Sequence, residues 1–346
     1  MPSLLIHNNE ITYRGDATNT QNVALMLKEA NVETVVVIPK SDRNHQSRIG
    51  EIRNKNIAVE EYQSRSDLFS ISSNYQVTHS MFVHDGRYNN LWIPETKHLV
   101  HAVFNNYEPH GDVYAYVSEW LYSEALKKKI GRNADEVEKL RELTNSPFKL
   151  CENVKKSWVP HTVMPEKGDG SYFRKLHKIP GSAFLVGRIG GYTEFSDSEA
   201  RKAVLSLLDE GKDVSFAFIN TKPFVIHPRV KYIGYVSESQ KWDFYDACDL
   251  LLNGRLMGES FGFSIVEPLM LGKPIIAPDI SRNLQMDKHH VQVLKPLKLL
   301  YTSGKHLNKQ IKKIMESPFE KEELQSLVRQ FTKDEVRKRF VSVFLD

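Results

Sequence analysis

One segment of the C-terminal half combines carboxylates, glycines and an apolar helical pattern. Glu259 precedes a predicted helix over 263–271, and Glu267 falls in the second turn of that helix. Unpaired N–H groups at a helix N-terminus carry partial positive charge, so a phosphate or diphosphate is the expected ligand. Carboxylates suit sugar hydroxyls, from which they accept strong hydrogen bonds. Glu259 is a candidate catalytic residue, and the candidate binding residues here are Ser260, Phe261, Gly262 and Glu267.

Each glutamate also has a structural interpretation. Glu259 can favour the helix N-terminus electrostatically, and Glu267 can be a solvated surface residue. The context favours function, because Glu267 interrupts an apolar run and is followed by Pro268, which strains a helix interior. Departures from local structural rules are common at functional sites.

A second candidate segment joins a buried strand to a glycine-rich turn. Arg188 ends the apolar run that begins at Phe184, and its guanidinium can bind two diphosphate oxygens at once. The alternative is a surface arginine at a turn. Arg188 is therefore a candidate catalytic residue, and the neighbouring candidate donor-binding residues are Gly187 and Gly190.

These two segments resemble the retaining, GT-B-fold, nucleotide-sugar-dependent glycosyltransferases of glycosyltransferase family 4. Glu259 and Glu267 match the family's two glutamates, and the expected continuation follows in Leu271-Gly272-Lys273-Pro274-Ile275-Ile276-Ala277. The resemblance covers roughly 184–278 well and the first half weakly. It implies that the first glutamate contacts the donor sugar and the second the nucleotide ribose, without a metal ion.

The sequence departs from the family at one basic position. Family members carry a lysine five residues after the arginine, where this chain has Thr193. Charge that develops on a leaving diphosphate must be met by preorganised donors, so a lost cation needs a replacement. Arg255, four residues before Glu259, is the expected catalytic replacement; its alternative role is a solvated loop arginine.

Other candidates follow predicted strands. Arg14 and Gly15 come after the first strand, and the family resemblance implies that this loop lies near the donor phosphates and the acceptor; with Asp16 they can also form only a capped turn. His101 lies on an apolar strand where the family often has a histidine near the transferred sugar; the alternative is a core residue. Backbone atoms at Tyr235 and Val236 are expected to bind the nucleobase, whose identity the sequence leaves open.

Alternating strand and helix patterns predict the α/β scaffold that positions these residues. Strands are predicted at 4–7, 34–39, 57–62, 77–83, 99–104, 113–117, 183–186, 214–219, 230–233, 250–252 and 274–277. Helices are predicted at 19–30, 119–129, 196–208, 239–247 and 263–271, with a helical tail from about 307. The expected fold is two Rossmann-like, doubly wound domains facing across a cleft (GT-B): 1–165 on the acceptor side and 166–330 for the donor. A C-terminal helix, 331–346, packs back toward the first domain in this hypothesis.

Composition excludes several classes of protein. The net charge of +4, from 47 basic and 43 acidic residues, does not favour nucleic-acid binding. Cys151 and Cys248 form no Cys-x-x-Cys pair, and no Asp-x-Asp motif occurs, so neither a metal nor another cofactor is expected. The chain also lacks the P-loop motif Gly-x-x-x-x-Gly-Lys-Ser/Thr and the glycine fingerprint of dinucleotide-binding proteins, which argues against kinases and dehydrogenases. No leader or membrane-spanning segment is predicted, and a cytoplasmic location is expected.

The resulting hypothesis is a retaining transferase that moves a sugar from a nucleotide diphosphate sugar to a hydroxyl of a glycan or other acceptor. A sugar epimerase or phosphorylase of the same fold is one alternative, and a non-catalytic nucleotide-sugar-binding partner subunit is another. Peripheral membrane contact through lysines such as Lys127, Lys309 and Lys312 is less favoured than solvated helix faces.

Overall fold

The chain forms two compact units in the computed structural model. The structure describes residues 2–13, 15–89, 91–127, 136, 138–139, 141–142, 147–148, 150, 154–211, 213–283 and 285–346. Met1–Val163 and Phe331–Asp346 form the first unit, and Met164–Gln330 forms the second. The division falls within the sequence 158–165, where the alternation of strands and helices pauses.

The first unit is built on a parallel sheet with helices on both faces. Its described strands are β1 (Ser3–Asn8), β2 (Glu33–Pro39), β3 (Ala58–Tyr62), β4 (His79–His84), β5 (Lys97–Ala102), β6 (Val113–Tyr116) and β7 (Lys155–Trp158), in the order β3-β2-β1-β4-β5-β6-β7. Its helices before the second unit are α1 (Gly15–Glu29), α2 (Gln46–Asn54), α3 (Arg65–Asn74) and α4 (Glu119–Ala125).

The inner strands β1, β2 and β4 are largely buried on both sides because both faces of the sheet are covered. Along β1, Leu4 and Ile6 join one hydrophobic cluster, while Leu5 joins a second cluster that contains Leu68 of α3. The parallel pairing of β1 with β2 and β4 places these residues at the centre of the sheet. The predicted parallel α/β arrangement is confirmed for this unit.

The second unit has the same architecture with fewer strands in its main sheet. Its described strands are β8 (Phe184–Ile189), β9 (Val214–Ile219), β10 (Val230–Ile233), β11 (Leu250–Leu252), β12 (Gly258–Glu259), β13 (Ile275–Pro278), β14 (Asp287–Lys288) and β15 (Leu300–Tyr301). The main sheet has the order β10-β9-β8-β11-β13-β15, and β12 pairs with β14. Its helices are α5 (Gly170–Leu176), α6 (Ser198–Asp209), α7 (Glu238–Ala247), α8 (Phe263–Met270), α9 (His289–Leu294), α10 (Gly304–Glu316) and α11 (Lys321–Ser326).

The order of the second sheet creates a topological switch point. The chain moves from β8 to β9 on one side, whereas β11 pairs with β8 on the other side. The loops after β8 and β11 therefore leave the same edge of the sheet and diverge, which is where ligands bind in open parallel sheets.

The C-terminal segment completes the core of the first unit. Helix α12 (Lys333–Phe340) continues into a π-helical turn over Val341–Leu345. Val336, Phe340 and Phe344 are buried in the same cluster as β1 and α1. The guanidinium of Arg339 also lies 3.5 Å from the ring centroid of Trp158 at the end of β7. The C-terminal segment is therefore part of the hydrophobic core of the first unit, although the second unit lies between them in the sequence.

Several local predictions differ from the structure. Helix α1 begins at Gly15, earlier than the predicted start at residue 19, so Gly15 and Asp16 form its first turn. Helices α2 and α3 were not predicted, because α2 buries only Arg48, Ile49 and Ile52 and its apolar period is weak. Part of the predicted helix 119–129, including Lys128 and Lys129, lies outside the described residues.

We expect the Phe340→Ala variant to destabilise the first unit by about 3 to 5 kcal/mol, because it removes a fully buried aromatic ring from the core. The measurement is urea unfolding followed by fluorescence. The matched control is Phe104→Ala, because Phe104 is 51% exposed, and its cost should stay below about 1 kcal/mol. Equal unfolding midpoints for the two variants would contradict the packing of α12 into this core.

Candidate active site

Two arginines and two glutamates converge where the loops after β8 and β11 leave the second sheet. Register pairs Leu251 of β11 with Gly187 of β8, which places Arg188 beside the start of the β11 loop. Arg255 Nη1 lies 2.9 Å from Glu259 Oε2, and Arg255 Nη2 lies 3.4 Å from Glu194 Oε1. Arg188 interacts electrostatically with all three of these groups. The structure thus brings together the three residues that the sequence predicted at this edge, and it adds Glu194.

Glu259 is held in place by backbone that only glycine permits. Gly258 has φ +73°, and a Cβ there would lie 1.9 Å from the carbonyl oxygen of Asp287 on β14. The carboxylate is buried, and its Oε1 accepts a hydrogen bond of 3.2 Å from Asn253 Nδ2. Burial raises the pKa of Glu259, while the charge of Arg255 opposes that rise. Glu259 is therefore a preorganised acceptor in a water-poor position.

Arg255 keeps one donor for a ligand. Its Nη groups face the two glutamates, and its backbone N–H donates to Asn253 Oδ1 at 2.9 Å. Its Nε–H is buried and has no acceptor among the described residues. A buried, unpaired donor on a cation is costly, so an anionic oxygen at this position would satisfy it. The alternative of a solvated loop arginine is wrong.

Arg188 is fixed beneath the glycine turn. It is buried, and it donates to Thr221 Oγ1 at 2.5 Å, Asn220 O at 3.2 Å and Gly191 O at 3.0 Å. A Cβ on Gly190 would lie 2.6 Å from Arg188 Nη2, so the glycine lets the turn lie against the guanidinium. Burial lowers the pKa of Arg188 to about 10, which leaves it charged at neutral pH. The alternative of a surface arginine is wrong.

Gly187 is explained by packing within the second unit. A Cβ at this position of β8 would lie 2.3 Å from Cys248 Sγ and 2.6 Å from the ring of Phe244. The absence of a side chain is therefore required by the contact between β8 and α7. This packing accounts for Gly187 without the donor contact predicted from the sequence.

Glu267 lies on α8 and is buried, so its interpretation as a solvated residue is wrong. Its Oε1 lies 2.5 Å from Lys241 Nζ, and its Oε2 accepts a hydrogen bond of 2.8 Å from the Tyr245 hydroxyl. Gly262, with φ +76°, is the N-cap of α8. The helix thus begins beside Glu259 and carries Glu267 in its second turn.

The remaining predicted residues of the second unit lie around this core. The Phe261 side chain is buried and its carbonyl oxygen accepts a hydrogen bond of 2.5 Å from His289 Nδ1. Ser260 is half-buried between Glu259 and Phe261. Tyr235 and Val236 follow β10, and the Tyr235 side chain is 73% exposed. Their contact with a nucleobase stays a prediction.

In the first unit, Gly15 begins α1, and Arg14 lies outside the described residues. His101 is fully buried on β5, and its Nε2–H donates to the carbonyl oxygen of Val159 at 2.7 Å. Its ring packs edge-on against His161 at 5.5 Å, and burial lowers its pKa to about 4. These contacts are those of the alternative core role, and a catalytic role for His101 stays a prediction.

Four residues that contact the predicted ones were not predicted from the sequence. Asn253 and Glu194 had local signals, since Asn253 precedes Arg255 by two positions and Glu194 directly follows Thr193. Lys241 and Tyr245 had none, because α7 and α8 are brought together only by the fold.

Neither a metal centre nor a membrane span occurs in the described part of the chain. Among the described residues, no three or more His, Cys, Asp and Glu side chains are grouped so that they could hold a metal ion. Across the same residues, no helix has the length and apolar character needed to cross a bilayer.

Comparison with known proteins identifies the fold. Residues 202–333 match the family model described as glycosyl transferases group 1. A glycosyltransferase from Rickettsia africae has a TM-score of 0.65 at 12% identity, covering 99% of this chain and 97% of its own. The Anabaena protein HepE, solved with UDP and glucose, has a TM-score of 0.68 at 11% identity, covering 99% of both chains. This chain has the GT-B fold.

A shorter match links part of this chain to NAD kinases of Streptococcus pneumoniae. They are 30% identical over 105 residues, which is 28% of this chain and 39% of the kinase. The chain therefore spans about two fifths of the length of the curated relatives that it matches. Activity assays of this chain should therefore also test whether it phosphorylates NAD. Membership of glycosyltransferase family 4 in particular stays a prediction.

The buried imidazole of His101 predicts that the first unit is less stable in acid. In the unfolded chain the His101 pKa takes its ordinary value of 6.5, whereas in the folded chain it is about 4. Stability should therefore fall as the pH drops from 6.5 towards 4, by up to about 3 kcal/mol from this residue. The His101→Gln variant, which keeps a donor but cannot titrate, should show a shallower loss of melting temperature.

The control is His45→Gln, because His45 is exposed on the same unit. It should melt with the same pH dependence as the unmodified chain. If the melting temperature of His101→Gln fell in acid as steeply as that of the unmodified chain, the buried neutral imidazole would be contradicted.

Proposed function

We propose that this chain is a glycosyltransferase that transfers a sugar, with retention of configuration, from a nucleotide diphosphate sugar to a hydroxyl of a glycan or other acceptor. The observation that carries the proposal is the pair of buried glutamates, Glu259 and Glu267, beside an arginine whose buried Nε–H lacks an acceptor among the described residues. The complex of the Anabaena neighbour with UDP and glucose supports the same class of donor.

The diphosphate would lie between Arg255 and the N-terminus of α8. Arg255 Nε supplies a directed donor, and the backbone after Gly262 supplies N–H groups with partial positive charge. Arg188 adds a fixed charge beneath the glycine turn. Because these groups are already oriented, they stabilise the charge that develops as the diphosphate leaves.

The sugar and ribose would be held by the glutamates. Glu259 accepts from sugar hydroxyls and is oriented by Asn253 and Arg255. Glu267 accepts from the ribose hydroxyls. The acceptor oxygen attacks the anomeric carbon from the face that the diphosphate leaves, and the acceptor proton passes to a diphosphate oxygen. No enzymic nucleophile is required, and metal independence and a cytoplasmic location stay predictions from the sequence.

The test is a screen of UDP-, GDP- and ADP-sugars, with NAD and ATP as a competing pair. One nucleotide sugar should raise the melting temperature with concentration, since ligands that bind the folded state stabilise it. The same donor should release nucleotide diphosphate slowly in water and give a product of the donor's anomeric configuration by NMR.

Other outcomes separate the alternatives. Conversion of the donor without an acceptor would indicate an epimerase, and phosphate-dependent turnover would indicate a phosphorylase. Binding without any hydrolysis or transfer would indicate a non-catalytic partner subunit. Phosphorylation of NAD with no nucleotide-sugar effect would overturn the proposal.

We expect Arg255→Ala to lower transfer by about 100-fold or more, because one preorganised donor to the leaving group is lost.

Glu267→Gln should abolish most activity with the circular dichroism spectrum unchanged. Arg188→Ala should do the same, although its three hydrogen bonds make Arg188→Lys the safer variant for folding.

The control for the arginine variants is Lys202→Ala, which removes a surface cation that pairs with Glu199 on α6. Its activity should be unchanged. Full activity in Arg255→Ala would remove Arg255 from the site.

Glu194 competes with a diphosphate for Arg255, because its carboxylate lies 3.4 Å from Nη2. We therefore expect Glu194→Gln to tighten binding of the nucleotide diphosphate by roughly two- to fivefold, the range of a partly exposed ion pair. Calorimetric titration measures this change. Glu210→Gln, which removes the partner of Lys312, should leave the affinity unchanged, and weaker binding in Glu194→Gln would contradict the competition.

A further inference from the structure

Glu267 is held by two side chains of a neighbouring helix. Lys241 and Tyr245 lie one turn apart on α7 and contact different oxygens of the carboxylate, at 2.5 Å and 2.8 Å. Lys241 Nζ also lies 2.6 Å from Glu238 Oε1. The Lys241 and Glu267 side chains are only 11% and 4% exposed. This arrangement is a buried ion pair with a second carboxylate at its edge.

The contacts leave Glu267 with accepting capacity on both oxygens. A carboxylate offers about four lone-pair positions, two on each oxygen. Lys241 uses one on Oε1 and Tyr245 uses one on Oε2. One position therefore remains on each oxygen, which is the arrangement that two adjacent hydroxyls of a ribose ring would need.

The charge on Glu267 depends on its neighbours. Burial raises the pKa of Glu267, the positive charge of Lys241 opposes that rise, and Glu238 adds to it. Burial alone would lower the pKa of Lys241, but the charges of Glu267 and Glu238 raise it. The Tyr245 hydroxyl donates to the ionised carboxylate and favours that form. Lys241 is thus the cation that opposes neutralisation of this buried carboxylate.

We propose that Lys241 is a positioning residue that holds Glu267 as an ionised, two-oxygen acceptor for the vicinal hydroxyls of the donor's ribose. The inference rests on the proposed function for the ligand, but the effect of Lys241 on Glu267 is testable without any ligand. Lys241 itself donates to Glu267 and Glu238 and needs no contact with the nucleotide.

The first experiment measures stability against pH in Lys241→Met and in Lys241→Met combined with Glu267→Gln. The pKa of Glu267 already lies above its ordinary value of 4.5 in the folded chain, and loss of the lysine should raise it further, so the protonated carboxyl stabilises the fold at low pH and this stability is lost as pH rises. As the pH rises above 4.5, the melting temperature of Lys241→Met should therefore fall relative to that of the double variant. Parallel pH profiles of the two variants would overturn the proposal.

Two further variants are controls for this experiment, and a third covers the case in which Lys241→Met does not fold. Lys241→Arg keeps the charge and should restore the unmodified pH profile. Lys202→Met, a surface lysine of the same unit, should leave the profile unchanged. If Lys241→Met does not fold, an unmodified profile in Lys241→Gln would still overturn the proposal, because that side chain also lacks the charge.

The second experiment measures UDP affinity at pH 6 and pH 8.5. Lys241→Met should bind UDP roughly tenfold more weakly than the unmodified chain at pH 6, because a charged acceptor has become neutral. The ratio of the two dissociation constants should shrink at pH 8.5, because a higher pH ionises a larger fraction of Glu267. A purely structural role of Lys241 would give the same ratio at both pH values, and that result would contradict the proposal.

The two experiments separate the two claims. Absence of binding by UDP and by every nucleotide sugar in the unmodified chain would sink the proposed function. The stability profiles would still decide whether Lys241 controls the charge of Glu267.

Discussion

The parallel pairing of β8 with β11 is the constraint on which the candidate site depends. It sets Arg188 at one strand end beside the loop that carries Asn253 and Arg255 at the other. The glycines then bring the backbone close enough for the charges to meet. Gly258 lets β12 pair with β14, and Gly262 begins α8. Without this register, Glu259 and Arg188 would lie on unconnected loops.

The site holds its charges in pairs. Arg255 faces Glu194 and Glu259, and Lys241 faces Glu267 and Glu238. Buried charges are tolerated only when they are paired and hydrogen-bonded, so these contacts stabilise an otherwise costly cluster. A diphosphate that enters must exchange a carboxylate for a phosphate oxygen at Arg255. The buried Nε–H of Arg255, which has no acceptor among the described residues, would gain one from the bound diphosphate.

Much of this architecture could be predicted from the sequence, and the reasons for the misses are physical. Apolar runs such as Val35 to Val37 predicted parallel strands because they are buried on both faces. Helix α2 was not predicted because its buried face is short and includes the charged Arg48 beside Ile49 and Ile52. The residue types of Arg188 and Gly187 indicated a binding site, but only the packing shows that Gly187 fits against Cys248. The contact of Lys241 with Glu267 joins two helices, and no sequence pattern encodes such a pair.

The central claim is that Arg255 and the N-terminus of α8 bind the diphosphate of the donor. A crystal structure with the nucleotide diphosphate found in the donor screen tests it most directly. We expect a phosphate oxygen within hydrogen-bond distance of Arg255 Nε, with the Arg255–Glu194 contact broken and the ribose hydroxyls on Glu267. A diphosphate bound elsewhere, with Arg255 still paired to both glutamates, would contradict the account.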